Sequence, residues 1–235
     1  MEKHMIYDLS YANKGVKIKD LPNKEYMILR LGINDHQDTE FDNYLQQIGS
    51  AEVPFGLYWF TYASSIETAE AECKVIRNIF NKNKDKYVFF KNLFQLPLFI
   101  DYEVEGKYNA HIQPKAFGQT APVFKNMLSD IAQVGLYLNT GLLNQYLPSP
   151  DVSVEAKNMC TKNLWWADWT NRTSCPTGNY YVRQTGAGMY NGFKIDENIK
   201  GKDFKTYHND APVWETLNKI NIDDKYRIIV QKRKD

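Results

Sequence analysis

The chain predicts an α/β fold: an irregular (β/α) barrel with short or missing helices in its second half. Three observations predict it. Short apolar runs rich in aromatic and branched residues recur along the sequence. Helical stretches separate them in the first half, and such alternation calls for parallel strands with covering helices. In the second half those helices shorten or vanish, and 235 residues is a length at which α/β barrels form one domain.

The elements follow in order. Ile6–Ser10 reads as the first strand and Tyr26–Leu31 as the second, with a short helix over Phe41–Ile48. Phe55–Tyr62 is the third strand. Ser65 then caps a helix running to about Phe80, with Glu67, Glu70 and Glu72 early and Lys and Arg later, an order that suits the helix dipole. Leu98–Glu103 is the fourth strand, an apolar run bounded by Pro97 and Gly106. Lys115–Gln133 is mostly helical, Gly135–Asn139 is the fifth strand and Thr140–Tyr146 a short helix. Leu164–Asp168, Tyr180–Gln184 and Phe193–Ile195 complete the strands. The segment after about residue 203 differs: a turn at His208–Asp210, a helix over Ala211–Lys219, a strand over Tyr226–Val230 and a basic, solvated end. The expected organisation is a catalytic barrel over residues 1–203 and a C-terminal extension over 204–235, packed on the barrel or trailing it.

Parallel barrels place chemistry at the C-terminal ends of their strands. Asp8, Thr61-Tyr62, Asp101-Tyr102-Glu103, Asp168-Trp169, Gln184 and Asp196-Glu197-Asn198 all fall at such ends, so acids, amides and aromatics collect on one rim. The pair Asp101 and Glu103 is the most informative. Alternation along a strand turns both to one face, with Cβ atoms roughly 6.5–7 Å apart. Mutual repulsion and lost hydration raise the pKa of one carboxyl, and one protonated acid beside one ionised acid is what glycosidic bond cleavage uses, although Asp-x-Glu at a strand end also suits a solvated loop or a metal site.

Composition excludes several classes. A net charge of +1 gives no electrostatic reason to bind nucleic acid. No apolar run reaches membrane-spanning length, so no membrane partner is expected. Three cysteines without a CxxC pattern indicate neither a zinc site nor a disulfide framework. Cys73 reads as a buried helix residue, and Cys160 and Cys175 as free thiols although they flank one strand. His4, His36, His111 and His208 lie in polar stretches without metal spacing and read as surface residues, so no metal or cofactor is expected. The 16 Tyr, 12 Phe and 5 Trp suit a filled barrel, and some suit a sugar ligand with its apolar C–H faces. Arg30 inside an apolar strand calls for a buried ion pair with one of the rim acids.

Several segments together carry a family likeness: Tyr7-Asp8-Leu9-Ser10; Ile28-Leu29-Arg30-Leu31-Gly32 with Asp38 and Phe41; Pro54 through Ala63 with Ala69 and Ala71; Leu98 through Glu103; Val134-Gly135-Leu136-Tyr137-Leu138-Asn139; Leu164-Trp165-Trp166-Ala167-Asp168-Trp169; and Gln184 with Gly192 through Asn198. Their order over about residues 5–200 resembles the family 25 glycoside hydrolases, the muramidase (lysozyme) type of phage endolysins and bacterial autolysins. The resemblance implies a flattened barrel of the TIM type. It implies cleavage of the β-1,4 bond between N-acetylmuramic acid and N-acetylglucosamine in the glycan strands of bacterial peptidoglycan. It carries over Glu103 as general acid, with Asp101, Asp8 and Asp196 as acidic partners and Tyr62 and Tyr137 as pocket residues. Trp165, Trp169, Gln184 and Arg30 join them as expected substrate contacts, one of the two tryptophans being expected in the core.

The sequence departs from that pattern at Ile6, where Gly is frequent, at Asp168, where an amide is common, and at Arg183 and Thr185, where an aromatic pair is usual. None of these removes an acid. Two routes fit the residues: Asp101 or Asp196 acts on the sugar or a water, or the substrate's own acetamido group attacks while a carboxylate orients it. Two alternatives share the groove, a non-catalytic wall-binding barrel and a hexosaminidase acting on chitin-like oligomers. A monomer is expected. Action on the cell wall without a visible signal peptide implies either a holin-like release from the cytoplasm or an extracellular protein whose leader has been removed.

Overall fold

The computed structural model describes residues 4–104, 109–170 and 174–207. The elements run β1 (Met5–Leu9), β2 (Lys24–Ile33), β3 (His36–Gln37), α1 (Phe41–Ala51), β4 (Phe55–Phe60), α2 (Ile66–Lys86), α3 (Phe90–Leu93), β5 (Phe94–Asp101), α4 (Pro114–Leu128), β6 (Val134–Asn139), α5 (Thr140–Tyr146), α6 (Val154–Met159), β7 (Leu164–Ala167), β8 (Val182–Tyr190) and β9 (Phe193–Lys200). The expected turn at 208–210, helix over 211–219 and strand over 226–230 lie outside the described residues.

Strand β3 pairs with the end of β2 alone, and the other eight strands close a barrel in the order β1-β2-β4-β5-β6-β7-β8-β9 and back to β1. Neighbours from β1 to β8 are parallel around the barrel. Strand β9 is antiparallel to both β8 and β1, which corrects the all-parallel expectation. The cause is local. Asn191 and Gly192 have φ of 49° and 86°, the paired positive values of a two-residue hairpin turn, and a turn that short can only return the chain antiparallel. The barrel is closed, mixed and thinly covered by helices on its second half, as the alternation of elements indicates.

Helix α2 shows how the outer layer is set. Ser65 accepts from the Thr68 N–H while Thr68 returns a bond to the Ser65 backbone, Glu67 lies in the first turn, and Lys84 and Lys86 in the last. Its buried residues Ala69, Cys73, Ile76 and Phe80 recur at helical spacing and join the outward faces of the strands in one large core. Cys73, Cys160 and Cys175 are all free and buried.

Alternation sorts each strand between that outer core and the barrel interior. On β5, Leu98 and Ile100 face the outer core, as does Tyr102 just beyond, whereas Leu96 and Phe99 face inward. Pro97 does not start this strand, as its sequence position suggested, but lies within it. The pairing steps from Phe94 to Leu98 on β5 while β4 steps only from Phe55 to Leu57, an irregularity that accommodates the missing N–H. Inside the barrel, Ile6, Ile28, Tyr58, Leu96, Phe99, Tyr137, Trp165 and Val182 form a second, strongly aromatic core. Gly135 makes room for it, since a Cβ there would stand 2.6 Å from the Phe99 ring.

The N-terminal end of the barrel is plugged. Phe204 and Tyr207 pack on the inner core, Phe204 stacking on Tyr181 at 5.0 Å. The Tyr207 N–H donates to the Gln95 carbonyl at 2.7 Å and its hydroxyl to Asn163 Oδ1 at 2.7 Å. The opposite end remains open and polar.

Candidate active site

The inward alternation that buries Ile6, Phe99, Trp165 and Val182 continues upward into polar residues. Two positions above Ile6 stands Asp8, and two above Phe99 stands Asp101. Two above Val182 stands Gln184, and Asp196 pairs directly with Asp8 across the β1–β9 ladder. Asp8, Asp101 and Asp196 therefore gather at the C-terminal mouth of the barrel, and Glu103 follows two residues beyond Asp101.

Hydrogen bonds fix the floor of this mouth. Asp8 Oδ2 accepts from Asn198 Nδ2 at 2.7 Å, and Gln184 Nε2 lies 3.4 Å from the same oxygen and 3.2 Å from Asp196 Oδ2. Gln184 Oε1 accepts from the Tyr137 hydroxyl and from Trp169 Nε1, each at 2.9 Å. The amide thus has one orientation: its oxygen satisfies two donors while its NH2 faces two acids. Asn198 is held likewise, with Trp165 Nε1 donating to its Oδ1 at 2.7 Å and its own Nδ2 also directed at the Ile6 carbonyl. Asp196 and Asn198 lie within β9, beyond the Phe193–Ile195 strand the sequence predicts, because the strand continues to Lys200.

The electrostatics favour protonated carboxyls. Burial, then the Asp196 charge, pushes Asp8 up to about 8, against the bonds from Asn198 and Gln184. Asp101 is 4% exposed, its Oδ1 has no hydrogen-bond partner among the described residues, and burial with the charges of Glu103 and Asp8 holds it well above the carboxylate range. Glu103 is also raised, by burial first and by Asp196, against its contact with the Tyr137 hydroxyl. Asp196 is raised by burial and moderated by Lys194. Glu103 lines an open cleft of about 350 Å³ that runs past Tyr137 and Gln184 to Asp168 and Trp169.

The remaining expected contacts divide. Trp169 is 50% exposed at the rim, with Lys194 Nζ 5.4 Å from its ring centre. Trp165 is 2% exposed and lies beneath the acids, edge-on to Tyr137 at 4.6 Å, which makes it the core member of the pair. Tyr62 is half-buried, its ring 5.3 Å from that of His111. Arg30 does form a buried ion pair, but with Asp38 at 2.6 Å and not with a rim acid. Asp38 is the nearer partner because the β2–β3 hairpin folds it back, and it also accepts from the Tyr11 and Glu40 N–H groups.

His111 corrects the reading of the histidines. His4 and His36 are exposed, but His111 is 1% exposed, and its Nε2 lies 2.8 Å from the Glu103 carbonyl oxygen. His208 lies outside the described residues. Glu72 was equally unmarked. It is buried on α2, accepts from Trp59 Nε1 at 2.7 Å and from the Tyr62 N–H at 3.0 Å, and burial pushes it up to about 7. Nothing in a single sequence distinguishes these two from solvated residues. Asn198 did carry a signal, since its i+2 spacing from Asp196 puts both on one face of a strand.

The same architecture recurs among solved structures. The modular autolysin LytC from Streptococcus pneumoniae matches with a TM-score of 0.65 and 22% identity over 83% of this chain, which spans only 46% of that protein. The catalytic domain of endolysin ply40 from bacteriophage P40 of Listeria monocytogenes matches at 0.64 and 17% identity, covering 86% of this chain and 95% of that one. A family 25 glycosyl hydrolase from Bacillus anthracis matches at 0.61 and 17% identity, covering 84% and 88%. This chain has their fold. No protein-family model and no curated protein matches the sequence. At these identities the likeness is one of backbone, and the chemistry rests on the side chains at the barrel mouth.

Proposed function

We propose that this protein is a peptidoglycan hydrolase of the N-acetylmuramidase type, acting on the bacterial cell wall, with Glu103 as general acid. The observation that carries the reading is Glu103 itself: a carboxyl with a raised pKa, lining an open cleft, backed by three further acids on the same barrel mouth. Binding a neutral glycan needs no such crowding of acids, whereas acid-assisted cleavage does. The fold it shares with an autolysin, an endolysin and a family 25 glycosyl hydrolase supports the same substrate class, as does the LytC structure bound to a synthetic peptidoglycan ligand.

In this reading protonated Glu103 gives its proton to the leaving glycosidic oxygen. Positive charge then grows at the anomeric carbon, and an ionised member of the cluster, Asp196 beside Lys194 or Asp101 once it has released its proton, supplies the compensating carboxylate. Asp8 and Asp196 raise the proton affinity of the group, and Gln184 and Asn198 fix their geometry. Trp165 acts from below as a positioning residue through Asn198, and Trp169 presents its ring to a sugar.

Glu103→Gln is the direct test, because it keeps shape and removes the proton donor. Release of reducing sugar from purified peptidoglycan should fall by at least about 10²-fold, the usual contribution of general acid catalysis, while the melting temperature holds. Turnover within a few-fold of the parent, in a folded variant, would overturn the assignment. Product analysis on peptidoglycan against chitin oligomers tests the choice of sugar.

A further inference from the structure

Among the described residues, seven large apolar or aromatic side chains stand well exposed, and two of them, Tyr11 at 56% and Trp169 at 50%, are aromatic and at the barrel mouth. Trp169 follows β7. Tyr11 follows β1 in the first turn of chain after the strand and is anchored on the mouth from several directions. Ser10 caps the turn, accepting from the Ala12 N–H, and the Tyr11 N–H donates to Asp38 Oδ2 at 3.0 Å. The Arg30 guanidinium, itself fixed to the same Asp38 oxygen at 2.6 Å, lies 4.5 Å from the centre of the Tyr11 ring. Arg30 is on β2 and turns into the mouth, where its charge is felt by Asp101 and Tyr58. The Tyr11 ring therefore sits over the β2 side of the opening.

Around the closed barrel, β2 and β7 are four strands apart in either direction, which is as far apart as eight strands allow. Glu103 follows β5, midway between them along one arc, and Asp196 is on β9, midway along the other. Two exposed aromatic rings thus face each other across the mouth, with the acids between them.

We infer that Tyr11 is a carbohydrate-stacking platform, binding a pyranose of the glycan strand on the opposite side of Glu103 from Trp169. The inference rests on the proposed function. An exposed ring presents a flat apolar face to the C–H groups of a sugar. The cation beneath Tyr11 holds the ring in place, so little side-chain entropy is lost on binding. A strand crossing from Trp169 to Tyr11 passes Glu103 with sugars on both sides of the bond to be cut, and it is the longer fragments that reach both rings.

The experiment uses the inactive Glu103→Gln protein, so that binding is read without turnover, and titrates it with peptidoglycan glycan oligomers of increasing length. Adding Tyr11→Ala should weaken binding of the long oligomers about tenfold and leave the shortest bound oligomer within about twofold. Tyr11→Phe should restore the affinity, since the platform needs the ring and not the hydroxyl. Equal weakening at every length, or no rescue by Phe, assigns Tyr11 a structural role and overturns the inference. Unchanged affinity in Tyr11→Ala overturns it also. If the Glu103→Gln parent binds no glycan of any length, the proposed function itself fails, and the platform with it.

Discussion

At the scale of single residues, the site is a place where burial opposes charge. Asp8 shows the consequence most directly. Its native pKa of about 8 stands above the ordinary value of 3.8, so between those pH values the folded protein holds a proton that the unfolded chain has released. Stability from this group is complete below about pH 4 and is lost as pH rises toward 8. Asp8→Asn is neutral throughout and keeps an oxygen for the Asn198 donor. The variant should be more stable than the parent at pH 8 by a few kcal/mol, since the parent loses on the order of 1.4 kcal/mol for every pH step between the two values, with little difference at pH 4. Thermal melts across that range check the sign, and a parent whose stability gains on the variant as pH rises refutes the protonated state. Positions of this kind were legible early: Asp8, Asp101 and Glu103 fall at strand ends, and Gln184 and Asp196, expected at such ends, lie instead within β8 and β9 where the hairpin carries them to the same mouth. His111 and Glu72 were not legible, because the burial of His111 goes with its contact to the Glu103 carbonyl and that of Glu72 with a helix face meeting β4, neither of which has a local signature.

At the scale of elements, the β8–β9 hairpin does the most to complete the site. It adds the antiparallel strand that closes the barrel, and it carries Gln184, Asp196 and Asn198 into the mouth from one unit. Its turn was written in the sequence as Tyr190-Asn191-Gly192-Phe193, a two-residue Asn-Gly connection, and the expectation of a parallel strand arose from giving strand–helix alternation precedence over that turn. The hairpin makes a clean prediction. A Cβ on Gly192 would meet nothing within 4 Å, so Gly192→Ala tests backbone conformation without crowding. With φ at 86° the substitution should cost about 1 kcal/mol and lower the melting temperature by about 2–4 °C. Asn191→Gly at φ 49° should cost less than half of that. Equal losses at the two positions would mean that the turn is not the paired positive-φ type. The first half is the more legible because its helices announce themselves: Ser65 capping α2 and the apolar spacing of Ala69, Cys73, Ile76 and Phe80 are local facts, whereas strand pairing in the second half is decided by partners distant in the chain.

At the scale of the whole molecule, the barrel is divided along its axis. One end gathers four carboxyls, two amides and exposed aromatics; the other is stoppered by Phe204 and Tyr207 on an inner core of Tyr26, Tyr181 and Phe99. The acids at the mouth oppose folding through their burial, so stability has to come from elsewhere, and the aromatic interior below them is the natural source. A parallel barrel of this kind separates the two tasks, with chemistry at the C-terminal ends of the strands and stability at the N-terminal ends. Residues 204–207 belong physically to the stabilising end, since Tyr207 bonds to Gln95 at the foot of β5 and Tyr181 bonds to the Lys205 carbonyl. Phe204→Ala removes half-buried aromatic packing from the plug and leaves every residue of the mouth in place. It should lower stability by about 1–2 kcal/mol, or roughly 2–8 °C in melting temperature for a chain of this size. The rate on peptidoglycan below that temperature should remain within about twofold of the parent. A Phe204→Ala protein that melts normally would remove the plug from the sources of stability. One that loses turnover tenfold at a temperature where it is folded would show that the two ends of the barrel are coupled through the aromatic column of Phe99, Trp165 and Tyr137, and that the acids depend on the packing beneath them.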